Sequence, residues 1–314
     1  MSLTVGELLT ARGELLRIKV LAGRAGLNRA IRATEVNRPG LALLGHMERF
    51  RSERIQVIGR GEESVLRKLK AKQIEPVFAR VLRYKNLPCF VITAGRVPPE
   101  MMLRMCDKAG VPVLQSSLDT AHFIGELHSH LEDHLAPSKY LHGVLVEVYG
   151  LGVLICGKSG AGKSECALEL LKRGHFFIGD DLIRIKHLPG GVLIGEAARQ
   201  EFGSYMEVRG LGIIDVKSLF GIGAVMDRTR VELVTTLEMW DGGRLSGNYE
   251  RVGLSERTMT ILGIGVSHVV FPVFPGRNLA ILLEVASLNQ RLKNKGVYSA
   301  REFEEKILEK TAVR

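Results

Sequence analysis

Apolar and polar positions along this 314-residue chain fall into two successive patterns. In the first, Thr4 stands where a cap belongs ahead of a helix over 5–10, and 15–20 reads as a strand. Short apolar runs bounded by polar or glycine residues predict strands at 55–59, 89–93 and 111–114. Helical segments fall near 62–72 and 99–109, the latter opening on Pro99, whose missing N–H costs nothing there. Strands alternating with helices predict a small α/β domain with a largely parallel sheet. A long helical stretch over 119–134 breaks at Ala136-Pro137, which puts the domain boundary there: 1–133 and 134–314.

The second pattern begins with strand-like runs 141–149 and 151–156, joined at Gly150 as a hairpin. The second run leads straight into a glycine-rich loop. A helix over 164–173, a strand over 176–179 and a β-rich, glycine-rich stretch to about Val273 follow. The end is helical over 280–294 and 299–310, where Phe303, Ile307 and Leu308 form an apolar stripe suited to core or subunit contact.

Composition narrows this picture. A hydrophobic content of 46% with only 10 Pro fits a folded, two-domain protein. No run of 18 apolar residues predicts a membrane span, and the charged N-terminus shows no signal-peptide core. Cys89, Cys106, Cys156 and Cys166 lack metal-knuckle or CxxC spacing, so a reduced, cytoplasmic setting is expected. The net charge of +10 is uneven: residues 1–133 carry 21 Lys/Arg against 14 Asp/Glu. The densest basic cluster, 66–72, has no interleaved aromatics and reads as a solvated helix face, so nucleic acid is not the expected partner. His122, His128, His130 and His134 crowd one helix, but no carboxylate motif completes a metal site.

The chemistry lies in "GKSGAGKS", residues 157–164. Gly157, Lys158, Ser159, Gly160, Ala161, Gly162, Lys163 and Ser164 match the Walker A pattern in its required order of strand, loop and helix. The glycines let successive N–H groups turn inward, and the following helix aims its positive end at the anion. Lys163 is placed to reach the β- and γ-phosphates and Ser164 to ligate Mg²⁺. The next strand ends in Asp180-Asp181, early in the chain for a motor or transporter ATPase. A kinase-like arrangement follows, with one aspartate to accept a proton from a substrate hydroxyl; the bland alternative is a capped turn. In "MEVRGLGIIDV" (206–216), Glu207 and Arg209 share a face of an extended segment and Gly210-x-Gly212 permits close backbone approach. There Glu207 could complete a Mg²⁺ shell and Arg209 could face phosphate.

Taken together, 141–182, "EVRGLGIIDV" (207–216), "YERVGL" (249–254) and "PGRNLAILLEVASLNQRLK" (275–293) resemble the bacterial HPr kinase/phosphorylase family. The N-terminal stretch 37–62 resembles it too, so the likeness spans nearly the whole chain. It implies a two-domain α/β protein: a small N-terminal α/β domain, then a P-loop kinase domain resembling the phosphoenolpyruvate carboxykinase core. It further implies a homohexamer that phosphorylates a regulatory serine of the phosphocarrier HPr with ATP or pyrophosphate and Mg²⁺. The reverse activity is phosphorolysis, in which inorganic phosphate removes the group as pyrophosphate, with a role in carbon catabolite regulation. By motif, the resemblance makes Lys163 the phosphate-binding lysine and Ser164 and Glu207 magnesium ligands. It makes Asp181 the catalytic base, with His142 and Arg251 as further catalytic residues and Asp180 in support. His142 and Arg251 carry no such signal without it.

One departure stands out: "PVFPGRN" (272–278) has Phe274 where the family commonly has a basic residue, while Arg277 remains. A lost cation near the incoming phosphate predicts slower phosphorolysis relative to kinase activity. Two other readings are a P-loop kinase for a small-molecule hydroxyl or carboxylate, and a nucleotide-gated regulatory or DNA-binding module. The first leaves the N-terminal domain and 206–216 unexplained; the second predicts strong, salt-dependent DNA affinity.

Overall fold

The computed structural model describes residues 3–69, 71–239 and 256–312, which fall into two compact units, Met1–Ala136 and Pro137–Arg314. In the first unit, β1 (Leu3–Thr4) leads into α1 (Val5–Arg12), which Thr4 and Glu7 close with reciprocal capping bonds. There follow β2 (Ile18–Ala22), β3 (Ala30–Ile31), β4 (Val36–Asn37), α2 (Gly40–Leu43) and β5 (Ile55–Ile58). Next come α3 (Arg60–Lys68), α4 (Ala71–Val81), β6 (Phe90–Ile92), α5 (Glu100–Lys108), β7 (Val113–Ser116) and α6 (Thr120–Leu135).

The sheet runs β2-β7-β6-β5-β4, parallel except for β2, as the alternating pattern predicts. Fully buried Val57, Val91 and Leu114 tie it to α1 and α6 through one core, while Phe78, Phe90 and Met102 anchor another beneath α4 and α5. The single helix expected over 62–72 is two helices. Leu69 turns extended (ψ 137°) and ends α3, and α4 then continues through Pro76. The described basic residues of the cluster, Arg67, Lys68 and Lys72, are exposed as expected but are divided between the two helices, and Arg67 pairs with Glu63.

The second unit opens with β8 (Ser138–His142), β9 (Val144–Val148) and β10 (Leu151–Gly157). The strand expected over 141–149 is thus broken at Gly143. A Cβ there would come within 2.6 Å of the Ile155 carbonyl oxygen, so only glycine lets the chain cross between strand pairings. Tyr149 (φ 52°) and Gly150 (φ 76°) make the two-residue turn of the β9–β10 hairpin, with the paired positive φ of a type I′ turn.

The unit continues with α7 (Lys163–Lys172), β11 (Phe176–Gly179), β12 (Leu182–Leu188) and β13 (Val192–Ala197). After these come β14 (Tyr205–Val208), β15 (Gly212–Asp215), α8 (Val216–Phe220) and the long β16 (Arg228–Met239). It ends with β17 (Thr258–Ile261), β18 (Ile264–Val273), α9 (Leu279–Asn294) and α10 (Ser299–Ala312).

Parallel β10, β16 and β18 form the centre of its sheet, and β9 and β11 extend it on one side. The start of β16 also pairs with β13, which leads on to β12 and β8. One face of the central strands packs on Ala167 and Leu170 of α7 and Leu283 of α9. The other packs Leu145, Leu154 and Val234 against Ile183, Ile185 and Leu193 of the folded-over strands. Each fully buried aliphatic side chain of this kind contributes about 1.5–3 kcal/mol. The carboxyl ends of β10, β11, β16 and β18 all emerge at one edge, where ligands bind in open α/β sheets. Phe303, Ile307 and Leu308 on α10 are largely exposed, so the C-terminal stripe is not core of this chain.

Packing of β16 against β18 carries a pH consequence. His268 Nε2 lies 2.8 Å from Thr236 Oγ1, and burial, then nearby Arg257, push the imidazole pKa below its ordinary 6.5. A base whose folded pKa is depressed contributes stability that is present above 6.5 and lost as pH falls through the lowered value. We therefore expect the melting temperature to fall on acidification from pH 7. His268→Gln should flatten that slope in thermal melts; an unchanged slope would exclude His268 as its source.

Candidate active site

β10 delivers Gly157, with φ 148°, directly into the loop, and Gly160 (φ 81°) and Gly162 (φ 86°) hold conformations that other residues rarely adopt. Gly162 is the N-cap of α7 and has no side chain to satisfy the first-turn N–H groups, which stay available for an anion. Lys163 folds back over the loop, its Nζ donating to the carbonyls of Gly157 at 3.1 Å and Lys158 at 3.2 Å. Its charge is held at the mouth of the cradle.

Asp180 ties three segments together. Its carboxylate accepts the Asp181 N–H at 2.9 Å, the Glu207 N–H at 3.1 Å and the Ser164 hydroxyl at 3.4 Å. Burial pushes its pKa above the ordinary aspartate value, which those donors only partly offset.

Asp181 behaves differently. Its φ is +66°, and the Leu182 N–H donates to the Asp180 carbonyl at 2.9 Å, so Asp181 is the centre of a tight three-residue turn. That strained backbone pushes the Asp181 side chain into solvent, 87% exposed. β8 pairs His142 opposite Leu182, which brings the His142 Nδ1 within 3.6 Å of the Asp181 carboxylate.

Glu207, near the end of β14, and Arg209, in the turn before β15, complete the ring. A Cβ on Gly160 would lie 2.9 Å from an Arg209 guanidinium nitrogen, so Arg209 rests against the loop. The glycines at 210 and 212 have φ of 88° and 85° with nothing near a built Cβ. They serve the turn and not a close approach. Together these groups line a cavity of about 300 Å³ that includes His142, Lys163, Ser164, Asp180, Asp181, Glu207 and Arg209.

Residues 133–307 match the family described as HPr Serine kinase C-terminal domain, and residues 3–131 that described as HPr Serine kinase N terminus. The chain belongs to the HPr kinase/phosphorylase family. An HPr kinase/phosphorylase of Geobacter sulfurreducens is 39% identical over 313 residues, covering 100% of this chain and 97% of its own. One from Brevibacillus brevis is 42% identical over 288 residues, 91% of each chain. A solved HPr(Ser) kinase/phosphatase from Coxiella burnetii is 36% identical over 53% of this chain and 99% of its own, with a TM-score of 0.46 that adds nothing to the assignment.

Of the other residues singled out by the family resemblance, one has no described position and one lies elsewhere. Arg251 falls outside the described residues. Arg277 lines a neighbouring cavity on the other side of the loop and not the phosphate cavity. Conversely, Gly143 and Glu165 line the phosphate cavity although no motif marks them. Glu165 has only its place in the first turn of α7 as a signal.

The donor set suits Mg²⁺. The Ser164 hydroxyl and the Asp180 and Glu207 carboxylates are hard oxygen ligands that line the cavity, with Asp180 bonded to the Ser164 hydroxyl and to the Glu207 backbone N–H. Among the described residues no cluster of three or more His, Cys, Asp or Glu side chains makes a dedicated cage. On α6, His128 sits 3.1 Å from both the Thr34 carbonyl and Glu132. No helix among the described residues is long and apolar enough to cross a membrane.

Proposed function

We propose that this chain is a bifunctional protein-serine kinase/phosphorylase acting on the phosphocarrier HPr. Its site would use ATP or pyrophosphate with Mg²⁺ in one direction and inorganic phosphate in the other. The observation that supports this reading most is an exposed aspartate held on a strained turn at the rim of a P-loop cavity, in a chain of this family.

In the kinase direction the loop N–H groups and Lys163 bind and orient the β- and γ-phosphates. Asp181 accepts the proton of the serine hydroxyl as its oxygen attacks the γ-phosphorus and the nucleoside diphosphate leaves. Mg²⁺, held by Ser164, Glu207 and Asp180, would supply neutralisation of the phosphate oxygens. Arg209, against the loop, adds a second positive charge where negative charge develops. In reverse, a phosphate oxygen attacks the phosphoserine phosphorus, the bond to the serine oxygen breaks, and Asp181 returns the proton to that oxygen. The product is pyrophosphate in the same cradle. His142 lies beside Asp181 to steady its orientation, and Arg251 is assigned its catalytic role by the family motif alone.

Such an enzyme is expected to be cytoplasmic and, like its family, hexameric; exposed Phe303, Ile307 and Leu308 are suited to a subunit contact. Phe274 should leave phosphorolysis weak relative to kinase activity. Its ring lies 5.1 Å from the Arg277 guanidinium, which also donates to the Pro272 carbonyl at 3.0 Å. Phe274→Arg is expected to raise the phosphorolysis rate and phosphate affinity several-fold. Steady-state pyrophosphate release over a phosphate titration checks this, and no gain in either quantity would count against the assignment.

A further inference from the structure

β5 and β6 are parallel neighbours, so the segments that lead into them, 44–54 and 82–89, both lie at the amino edge of the N-terminal sheet. Each carries a cation–aromatic–cation triplet: Arg49-Phe50-Arg51 in the first and Arg83-Tyr84-Lys85 in the second. The fold brings the two triplets together. The Phe50 and Tyr84 rings lie 5.6 Å apart at 45°, and the Ser52 hydroxyl donates to Asn86 Oδ1 at 3.0 Å. Both segments are also tied to the groups beside them. Fully buried Gln56 donates to the Arg51 and Arg54 carbonyls at 2.8 and 2.7 Å. The Arg29 guanidinium donates to the Lys85 and Leu87 carbonyls at 3.2 and 2.8 Å.

The charge on this patch is not neutralised from within. Arg49, Arg51, Arg83 and Lys85 are exposed, as is Arg80 in the last turn of α4. Among the described residues none of these five is in an ion pair, whereas Arg54 takes both Glu35 at 3.6 Å and Glu53 at 3.9 Å. Glu48 is the remaining acid of the two segments. Phe50 is half-buried against the core, while Tyr84 is 37% exposed, so one ring backs the other.

That arrangement fits a phosphodiester strand with unpaired bases. Guanidinium groups pair with phosphates bidentately, and an aromatic face set among them offers a platform on which a base can stack. An acidic protein surface would satisfy the cations but leave the aromatic pair without a role. Loops already held by buried hydrogen bonds lose little further freedom on binding. The patch is not the basic stretch 66–72, whose lack of aromatics argued against nucleic acid.

We propose that this patch binds single-stranded nucleic acid, its cations along the phosphates and a base on Tyr84. The proposal is independent of the phosphoryl-transfer reading.

Fluorescence anisotropy of the full chain with a labelled uridine oligonucleotide of about 12 nucleotides tests it. Wild type should bind with a Kd of about 10⁻⁵ M, and the logarithm of the affinity should fall against that of salt with a slope of about −2 to −3.5. The triple variant Arg49→Gln, Arg51→Gln, Arg83→Gln changes only exposed side chains and should flatten that slope by about 2. Tyr84→Leu keeps an apolar contact for Phe50 but removes the π face. It should weaken the oligonucleotide at least about fivefold and heparin, a polyanion without bases, by less than about twofold. Tyr84→Phe should retain wild-type affinity. An unchanged slope in the triple variant would place binding elsewhere and overturn the proposal. So would equal effects of Tyr84→Leu on both ligands, which would leave the patch a general polyanion or acidic-protein surface. If Tyr84→Leu does not fold, a duplex of the same length decides: the single strand should bind more tightly at equal salt, and the reverse order would contradict stacking.

Discussion

Asp181→Asn is expected to lower kcat in both directions by about 10²–10⁴-fold, the range for loss of a general acid–base group. The same residue takes the proton forward and returns it in reverse, so the two rates should fall together. Folding should be spared. The Asp181 side chain is solvent-exposed, and asparagine is among the few residues that tolerate a φ near the +66° found here. ATP affinity should also be spared, because the hydrogen bonds to Ser164 and to the Glu207 N–H belong to Asp180. Rate measurements in both directions, with a thermal melt and nucleotide titration, separate these effects. A loss below about tenfold would remove Asp181 from the proton transfer.

Lys163→Ala should cost about 10²–10³-fold in kcat, the scale for removing one preorganised donor from a developing charge. It differs from Asp181→Asn in weakening nucleotide binding as well. The ammonium sits over the loop carbonyls of Gly157 and Lys158, where it would face bound phosphates in ground and transition states alike. Nucleotide titration of the variant checks this; unchanged affinity with normal turnover would place the phosphates elsewhere.

How much of this the amino-acid order reveals depends on how local each feature is. The P-loop is legible because strand, loop and helix are contiguous, and Asp180-Asp181 because the next strand ends there. His142 is not, since its place beside Asp181 comes from pairing with Leu182, forty residues away. The break that makes β8 and β9 separate strands is one glycine in an unbroken apolar alternation. Its reason, the approach of Ile155, is tertiary. In the N-terminal unit, α3 ends at Leu69 without glycine or proline, and α4 then runs through Pro76, so the local cues point the wrong way. Arg277 shows the limit of motif reading: it follows a recognisable loop, yet the end of β18 carries it to the cavity beyond the phosphates.

The central claim is that this cradle faces a serine on another protein and works in both directions. The direct test incubates the chain with Mg-ATP and HPr, locates the modified residue by mass spectrometry, then adds inorganic phosphate. The expected result is phosphoserine on HPr, followed by its loss with release of one pyrophosphate per serine. ATP consumption without phosphoserine on HPr, or removal of the group as free phosphate, would contradict it.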